Sequence, residues 1–224
     1  IFQDQEYQVN AENFYDSESL TAAVNQLQCL QEGAGTPSQD AKLEDNGTAY
    51  VITPEVYGTQ LDKEKTTAAI QKVVEERKTE LSLEESDCYI KPAVLQSDEK
   101  LNQEMNHLNK LTGAQVSVNF QGTQEQISRD MLKSWLKQGE DGTYSFDESV
   151  VKPVVIGWSE KYNTYGKPKD FQTSLGTTVH LTKGDYGWRV WQDKTTEALM
   201  QVLNAGTGGV VEAVWLQQGQ KYGG

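Results

Sequence analysis

Histidine and cysteine are nearly absent: His107, His180, Cys29 and Cys88 are the only four in 224 residues. Neither cysteine stands in a Cys-x-x-Cys pair or at metal-ligand spacing from a histidine, which excludes a zinc site built on such spacing. The two thiols could be bridged or free, and free thiols are the plainer reading. Nucleophilic catalysis needs a base beside a Ser or Cys. His107, in the polar helical stretch Glu104-Met105-Asn106-His107, reads as a solvated surface residue. His180, in Thr178-Val179-His180-Leu181, reads as a strand residue facing solvent. Basic clusters are missing too. Against 33 acidic residues stand 20 Lys and Arg, for a net charge of −13. With no basic face to displace counterions from phosphate, a nucleic-acid partner is excluded. No run approaches the roughly 20 apolar residues that span a bilayer, and no signal-peptide pattern is present. Gly-rich phosphate loops, His-Glu-x-x-His and calcium loops are absent. No catalytic residue, cofactor or metal is therefore expected.

What the chain does hold is aromatic residues and a hidden period. Five Trp, ten Tyr and five Phe are too many for a disordered chain. Gly58, Gly122 and Gly187 lie 64 and 65 residues apart, each after a short extended run. A helix start follows each glycine. Asp62, Ser128 and Asp193 are the cap candidates, since a short oxygen-bearing side chain accepts from the orphan N–H groups of a first turn. Apolar stripes follow the caps, and two of the helices share Lys-Thr-Thr, at Lys65-Thr66-Thr67 and Lys194-Thr195-Thr196. Short strands are expected at Leu81-Ser82-Leu83, at Tyr144-Ser145-Phe146 and at Val210-Val211 with Val214. Lys91-Pro92 and Lys152-Pro153 should stop or edge the first two. Helical stripes precede each unit: Leu20, Val24, Leu27 and Leu30; then Leu101, Met105, Leu108 and Leu111, ending at Gly113; then a shorter one from Val154 to Tyr162. The fold class is thus α+β: tandem helix-strand-turn-helix-strand units with helices packed on antiparallel sheets. A first α+β region is expected over residues 1–112 and a second over 113–224.

Aromatic side chains crowd one segment. Trp158, Tyr162, Tyr165, Phe171, Tyr186, Trp188 and Trp191 fall within 34 residues. They either fill a small core or form a surface that stacks on sugar rings or a partner. Trp191 is the ring most expected to face outward. Asn46-Gly47-Thr48 reads as a glycosylation acceptor or equally as a turn.

Tyr162-Asn163-Thr164-Tyr165-Gly166, Phe171-Gln172-Thr173-Ser174-Leu175-Gly176 and Gly184-Asp185-Tyr186-Gly187-Trp188-Arg189-Val190 resemble the segment just before the catalytic domain of Gram-positive YkuD-type L,D-transpeptidases. Glu55-Val56-Tyr57-Gly58 with Leu61-Asp62-Lys63-Glu64, ending at Tyr89-Ile90-Lys91-Pro92, resembles their peptidoglycan-binding domain, which is also seen in VanW-like proteins. The likeness spans roughly residues 14–216. It implies an extracellular, cell-wall region whose only membrane attachment is an upstream anchor, followed after residue 224 by a covalently linked catalytic domain. The chain begins at Ile1 and ends at Lys221-Tyr222-Gly223-Gly224, and both ends read as cuts within a longer bacterial protein. The family's Ser-His-Gly-Cys motif is missing here, so no catalytic residue carries over. Peptidoglycan or its stem peptides are the implied partner, and Tyr165, Tyr186, Trp188 and Trp191 the expected ligand-binding residues. The competing expectation is a spacer or protein-interaction module that binds no glycan. Fully buried Trp188 and Trp191 rings would favour the spacer.

Overall fold

The computed structural model describes residues 16–219; the terminal stretches on which the reading of the chain ends rests lie outside them. The chain divides into two compact units. Among the described residues, one comprises residues 16–43 and 52–101, the other residues 44–51 and 102–219. Helices and small sheets alternate throughout, and the fold class is α+β as expected.

In the first unit, α1 (Ser17–Val24) packs on α2 (Lys63–Glu75), and the Gln71 amide donates to the Thr21 hydroxyl at 3.2 Å. α1 is shorter than its sequence stripe: Leu27 falls outside it and is exposed, and Gln28–Leu30 form a 3₁₀ turn. Asp62 caps α2 as expected, accepting from the N–H groups of Glu64 and Lys65. Leu81-Ser82-Leu83 does not form the expected strand. It leads into a run of turns in which Ser86, Asp87 and Cys88 donate back to Ser82, Glu84 and Leu83. Pairing resumes only at Tyr89, bridged to Leu61. Cys88 is buried and Cys29 exposed, and both thiols are free.

Hairpin strands β1 (Lys42–Asp45) and β2 (Tyr50–Thr53) are closed by a turn in which the Asn46 side chain accepts from the N–H groups of Thr48 and Ala49. Asn46-Gly47-Thr48 thus works as a turn. Residues 44–51 belong to the second unit. There the Asn109 side chain brackets the Tyr50 backbone with two hydrogen bonds of 2.7 and 2.8 Å. Asp45 meets the Arg129 guanidinium at 2.8 Å and also pairs with Lys133. Arg129 first, then Lys133, holds the Asp45 carboxyl far below the ordinary carboxylate range. A depressed folded pKa means that the stability these contacts contribute is complete above about pH 5 and declines progressively in acid, the contacts themselves breaking only as pH falls through the folded value, far below the ordinary carboxylate range. Asp45→Asn is expected to lower the hydrogen-exchange protection factor of the Tyr50 amide near neutral pH, measured against the parent chain at the same pH. Unchanged exchange would show that Asn109 alone fixes this segment.

The second unit is built on a three-stranded sheet. β3 (Val116–Phe120) and β4 (Thr123–Ile127) form a hairpin, and β10 (Gly209–Glu212) lies parallel to β3. That parallel pair departs from the purely antiparallel expectation. The long excursion between the two strands, which includes a helix over Gln192–Ala205, makes it possible, because a parallel neighbour needs a crossover. Alternation puts Val116, Val118, Phe120 and Val211 on one face, all buried. α5 (Glu148–Tyr162) and α6 (Gln192–Ala205) close the core with Val151, Val155, Leu199 and Leu203. α5 is longer than expected, and Pro153 lies inside it rather than ending a strand. Near the start of a helix the missing N–H removes one ladder bond without stopping the helix, which Asp147 caps. Ser128 caps the short α4 (Arg129–Ser134) as expected. Asp193 does not cap α6. Trp191 holds that position with no side-chain bond, and Asp193 pairs with Lys152 at 2.8 Å. β5 (Leu136–Gln138) and β6 (Tyr144–Phe146) form a small hairpin.

Two of the periodic glycines do the same job. A side chain on Gly58 would come within 2.0 Å of the Thr36 carbonyl oxygen, and one on Gly187 within 2.6 Å of the Thr164 carbonyl oxygen. In each case a helix follows whose start is tied to a later segment of the chain: the Asp62 N–H donates to Cys88 O and the Trp191 N–H to Val214 O, both at 2.7 Å. Thr66 and Thr195 then sit buried one turn along. Gly122 differs, occupying a tight turn at φ +91° with open space around it.

Candidate functional site

The stretch after α5 leaves the core, forms the exposed hairpin β7 (Lys169–Gln172) and β8 (Thr178–Leu181), and returns in β9 (Arg189–Val190). Backbone bonds join its two ends. The N–H groups of Thr164 and Tyr165 both donate to the Trp188 carbonyl, at 2.9 and 3.0 Å, and Gly166 donates to Tyr186. The Trp188 N–H donates to the Thr164 hydroxyl at 2.9 Å. This junction needs the bare Gly187 and brings three of the four expected rings, Tyr165, Tyr186 and Trp188, to one place.

Their environments separate them. Trp188 is half-buried, edge-on to Trp215 with centroids 5.1 Å apart, and Trp215 stands edge-on to the buried Phe120 at 6.5 Å. Trp188 therefore ties the returning strand to the core. Tyr186, also half-buried, lies edge-on to Phe171 at 5.1 Å, with the Lys169 ammonium 5.4 Å from its ring centre. Tyr165 is exposed and carries the Arg189 guanidinium over its ring at 5.6 Å, a geometry that holds a planar surface rigid. Trp191 is 42% exposed at the start of α6. Its backbone is fixed while its indole faces outward, as the alternation beside buried Val190 implies. Tyr165 and Trp191 are thus the two accessible rings, and Trp188 and Tyr186 are supports with part of each ring in reach. Neither Trp ring is fully buried.

Sequence reasoning missed Trp215. It follows a short strand like any core residue, and its partners Phe120 and Trp188 lie far away in sequence. A second concavity was missed as well, a cleft of about 740 Å³ over the outward face of β10–β3–β4. It is bordered by the end of α3 (Glu99–Thr112) and the Gly206–Gly209 connection, and lined by Ser117, Gln115, Gln124, Gln126, Lys110 and Val210 among others. A period-two pattern with a polar outer face looks like plain solvent exposure.

The catalytic candidates are otherwise engaged. His107 is exposed, with Nε2 2.8 Å from the Tyr144 carbonyl oxygen, and exposed His180 pairs with Asp170 across β7–β8. Among the described residues, no group of three or more His, Cys, Asp or Glu is placed to hold a metal ion, and no helix is long and apolar enough to cross a membrane.

Among solved structures, the chain is similar to the Ldtfm–avibactam carbamoyl enzyme (24% identity, TM-score 0.44), over 53% of this chain and 46% of that one. It is similar to a mutant of the Enterococcus faecium L,D-transpeptidase (24% identity, TM-score 0.43), over 52% and 46%. The chain thus spans less than half the length of the structures it matches. No curated protein matches it. The sequence model of the family described as "Putative peptidoglycan binding domain" matches residues 3–82 and 96–212, most of the chain, and on that match the chain belongs to this peptidoglycan-binding domain family.

Proposed function

We propose that this chain is a non-catalytic region that binds and positions on peptidoglycan, in the cell wall outside the membrane, for a linked L,D-transpeptidase domain beyond residue 224. The observation that carries this reading is the family match over both stretches of the chain. Tyr165 and Trp191 support it as exposed, backbone-fixed rings, the kind of surface on which the apolar face of a sugar ring packs. Tyr186 and Trp188, half-buried and joined by backbone hydrogen bonds to the Tyr165–Gly166 segment, complete the proposed ligand-binding set. Lacking a Ser-His-Gly-Cys motif, the chain contributes placement and not chemistry. The expected membrane anchor and the transpeptidase partner belong to this proposal as well.

A pull-down on purified sacculi tests it. Folded protein should be retained at low salt, and the Tyr165→Ala/Trp191→Ala double variant should lose about tenfold in affinity, the effect of removing two stacking rings worth about 0.7 kcal/mol each. No retention of the folded parent chain would leave the spacer reading in its place.

A further inference from the structure

The cleft over the outward face of β10–β3–β4 has a composition unlike the rest of the chain. The protein carries 33 acidic residues, yet none lines this cleft. Its polar side chains are amides and hydroxyls, with Lys110 the one charged side chain in the lining. In register, Val210, Ser117 and Gln126 form one row across the three strands. The Gln124 side chain reaches toward that row, accepting from the Gln126 amide at 3.1 Å and from the Ser117 hydroxyl at 3.4 Å. One wall is the loop after α6, pressed onto the α3–β3 connection: a side chain on Gly208 would lie 2.8 Å from the Gln115 carbonyl oxygen. Val210, 53% exposed, gives the floor its apolar patch.

We infer that this cleft is a second binding site, for an N-acetylated amino-sugar oligomer. Amide side chains both donate and accept, which suits vicinal hydroxyls and an acetamido group, while a set without carboxylates suits an uncharged ligand better than a cation. Val210 offers a surface for the acetyl methyl or the apolar ring face. A peptide would be recognised most simply by pairing along a strand edge. This cleft lies over the sheet face, with Ser117, Gln124, Gln126 and Val210 in its floor, and not along a strand edge. The inference takes its ligand class from the proposed peptidoglycan-binding function, but the sheet face can be tested without it.

The test is an NMR titration of the intact chain with the N-acetylglucosamine trimer, with cellotriose, and with an N-acetylated tripeptide amide. The trimer should shift backbone amides near residues 115–117, 124–126 and 207–210, and cellotriose should bind at least about fivefold more weakly, the loss of one or two net hydrogen bonds. Gln124→Ala/Gln126→Ala, two exposed positions on an edge strand, should weaken the trimer by a similar factor. Absent shifts on this face, an unaffected double variant, or tighter binding of the peptide would each overturn the assignment. Sacculus retention without trimer binding here would reject the cleft and leave the proposed function standing. Trimer binding without sacculus retention would do the reverse.

Discussion

Phe120→Ala is expected to lower the stability of the second unit by about 3–5 kcal/mol, the range for removing a buried aromatic side chain. Phe120 is 2% exposed at the end of β3. It stacks on Tyr162 at 4.4 Å with an interplanar angle of 8°. Trp158 and Trp215 meet it edge-on at 6.4 and 6.5 Å. The ring therefore joins β3, α5 and β11 (Trp215–Gln217), and Trp215 passes the contact on to Trp188. Truncation leaves a cavity ringed by three large side chains that cannot all collapse into it. Urea unfolding followed by far-UV circular dichroism measures the loss. Near-UV signal should fall even where the unit stays folded, because Trp158 and Trp215 lose their fixed neighbour. A loss below about 1 kcal/mol would mean that the aromatic cluster is peripheral.

Gly58→Ala and Gly187→Ala are expected to be the most damaging glycine substitutions, at about 3 kcal/mol or more each, the upper end of overpacking costs. At Gly58 a Cβ would be 2.0 Å from the Thr36 carbonyl oxygen and 2.5 Å from the Pro37 carbonyl carbon. These are backbone atoms that cannot rotate aside, so the cost is overpacking with no easy relief. Gly187 combines a contact of 2.6 Å to the Thr164 carbonyl oxygen with φ +120°, adding roughly 1–2 kcal/mol of backbone strain. Gly122→Ala is the control: φ +91° with nothing within 4 Å, so only the backbone part, about 1–2 kcal/mol, should appear. Equal losses at all three glycines would show that close packing plays no part.

That contrast shows what the sequence could convey. The spacing of 64 and 65 residues singled out three glycines, but spacing is blind to the reason for a glycine. Gly58 and Gly187 are required by close backbone approach, Gly122 by its turn. Asp62 and Ser128 were legible as caps because the interaction is local, an oxygen within three residues of the N–H it serves. Asp193 misled because α6 begins at Gln192, where the Trp191 backbone is held by Val214 from a later segment. Pro153 misled in the same way, since core contacts of α5 through Val151 and Val155 outweigh one missing ladder bond. The candidate rings were legible as a crowd and not as a geometry. Exposure of Trp191 follows from alternation beside Val190. The half-burial of Trp188 depends on Trp215, which no local pattern connects to it.

The most direct measurement is the response of the five tryptophan indole N–H resonances to soluble glycan–peptide fragments released from sacculi. The Trp191 indole, outward-facing at the start of α6, should shift progressively with added fragment. The Trp135 indole, in a residue 2% exposed within the core, should stay where it is. If none of the five indoles moves at millimolar fragment while the spectrum remains that of a folded protein, the aromatic surface is not a peptidoglycan site.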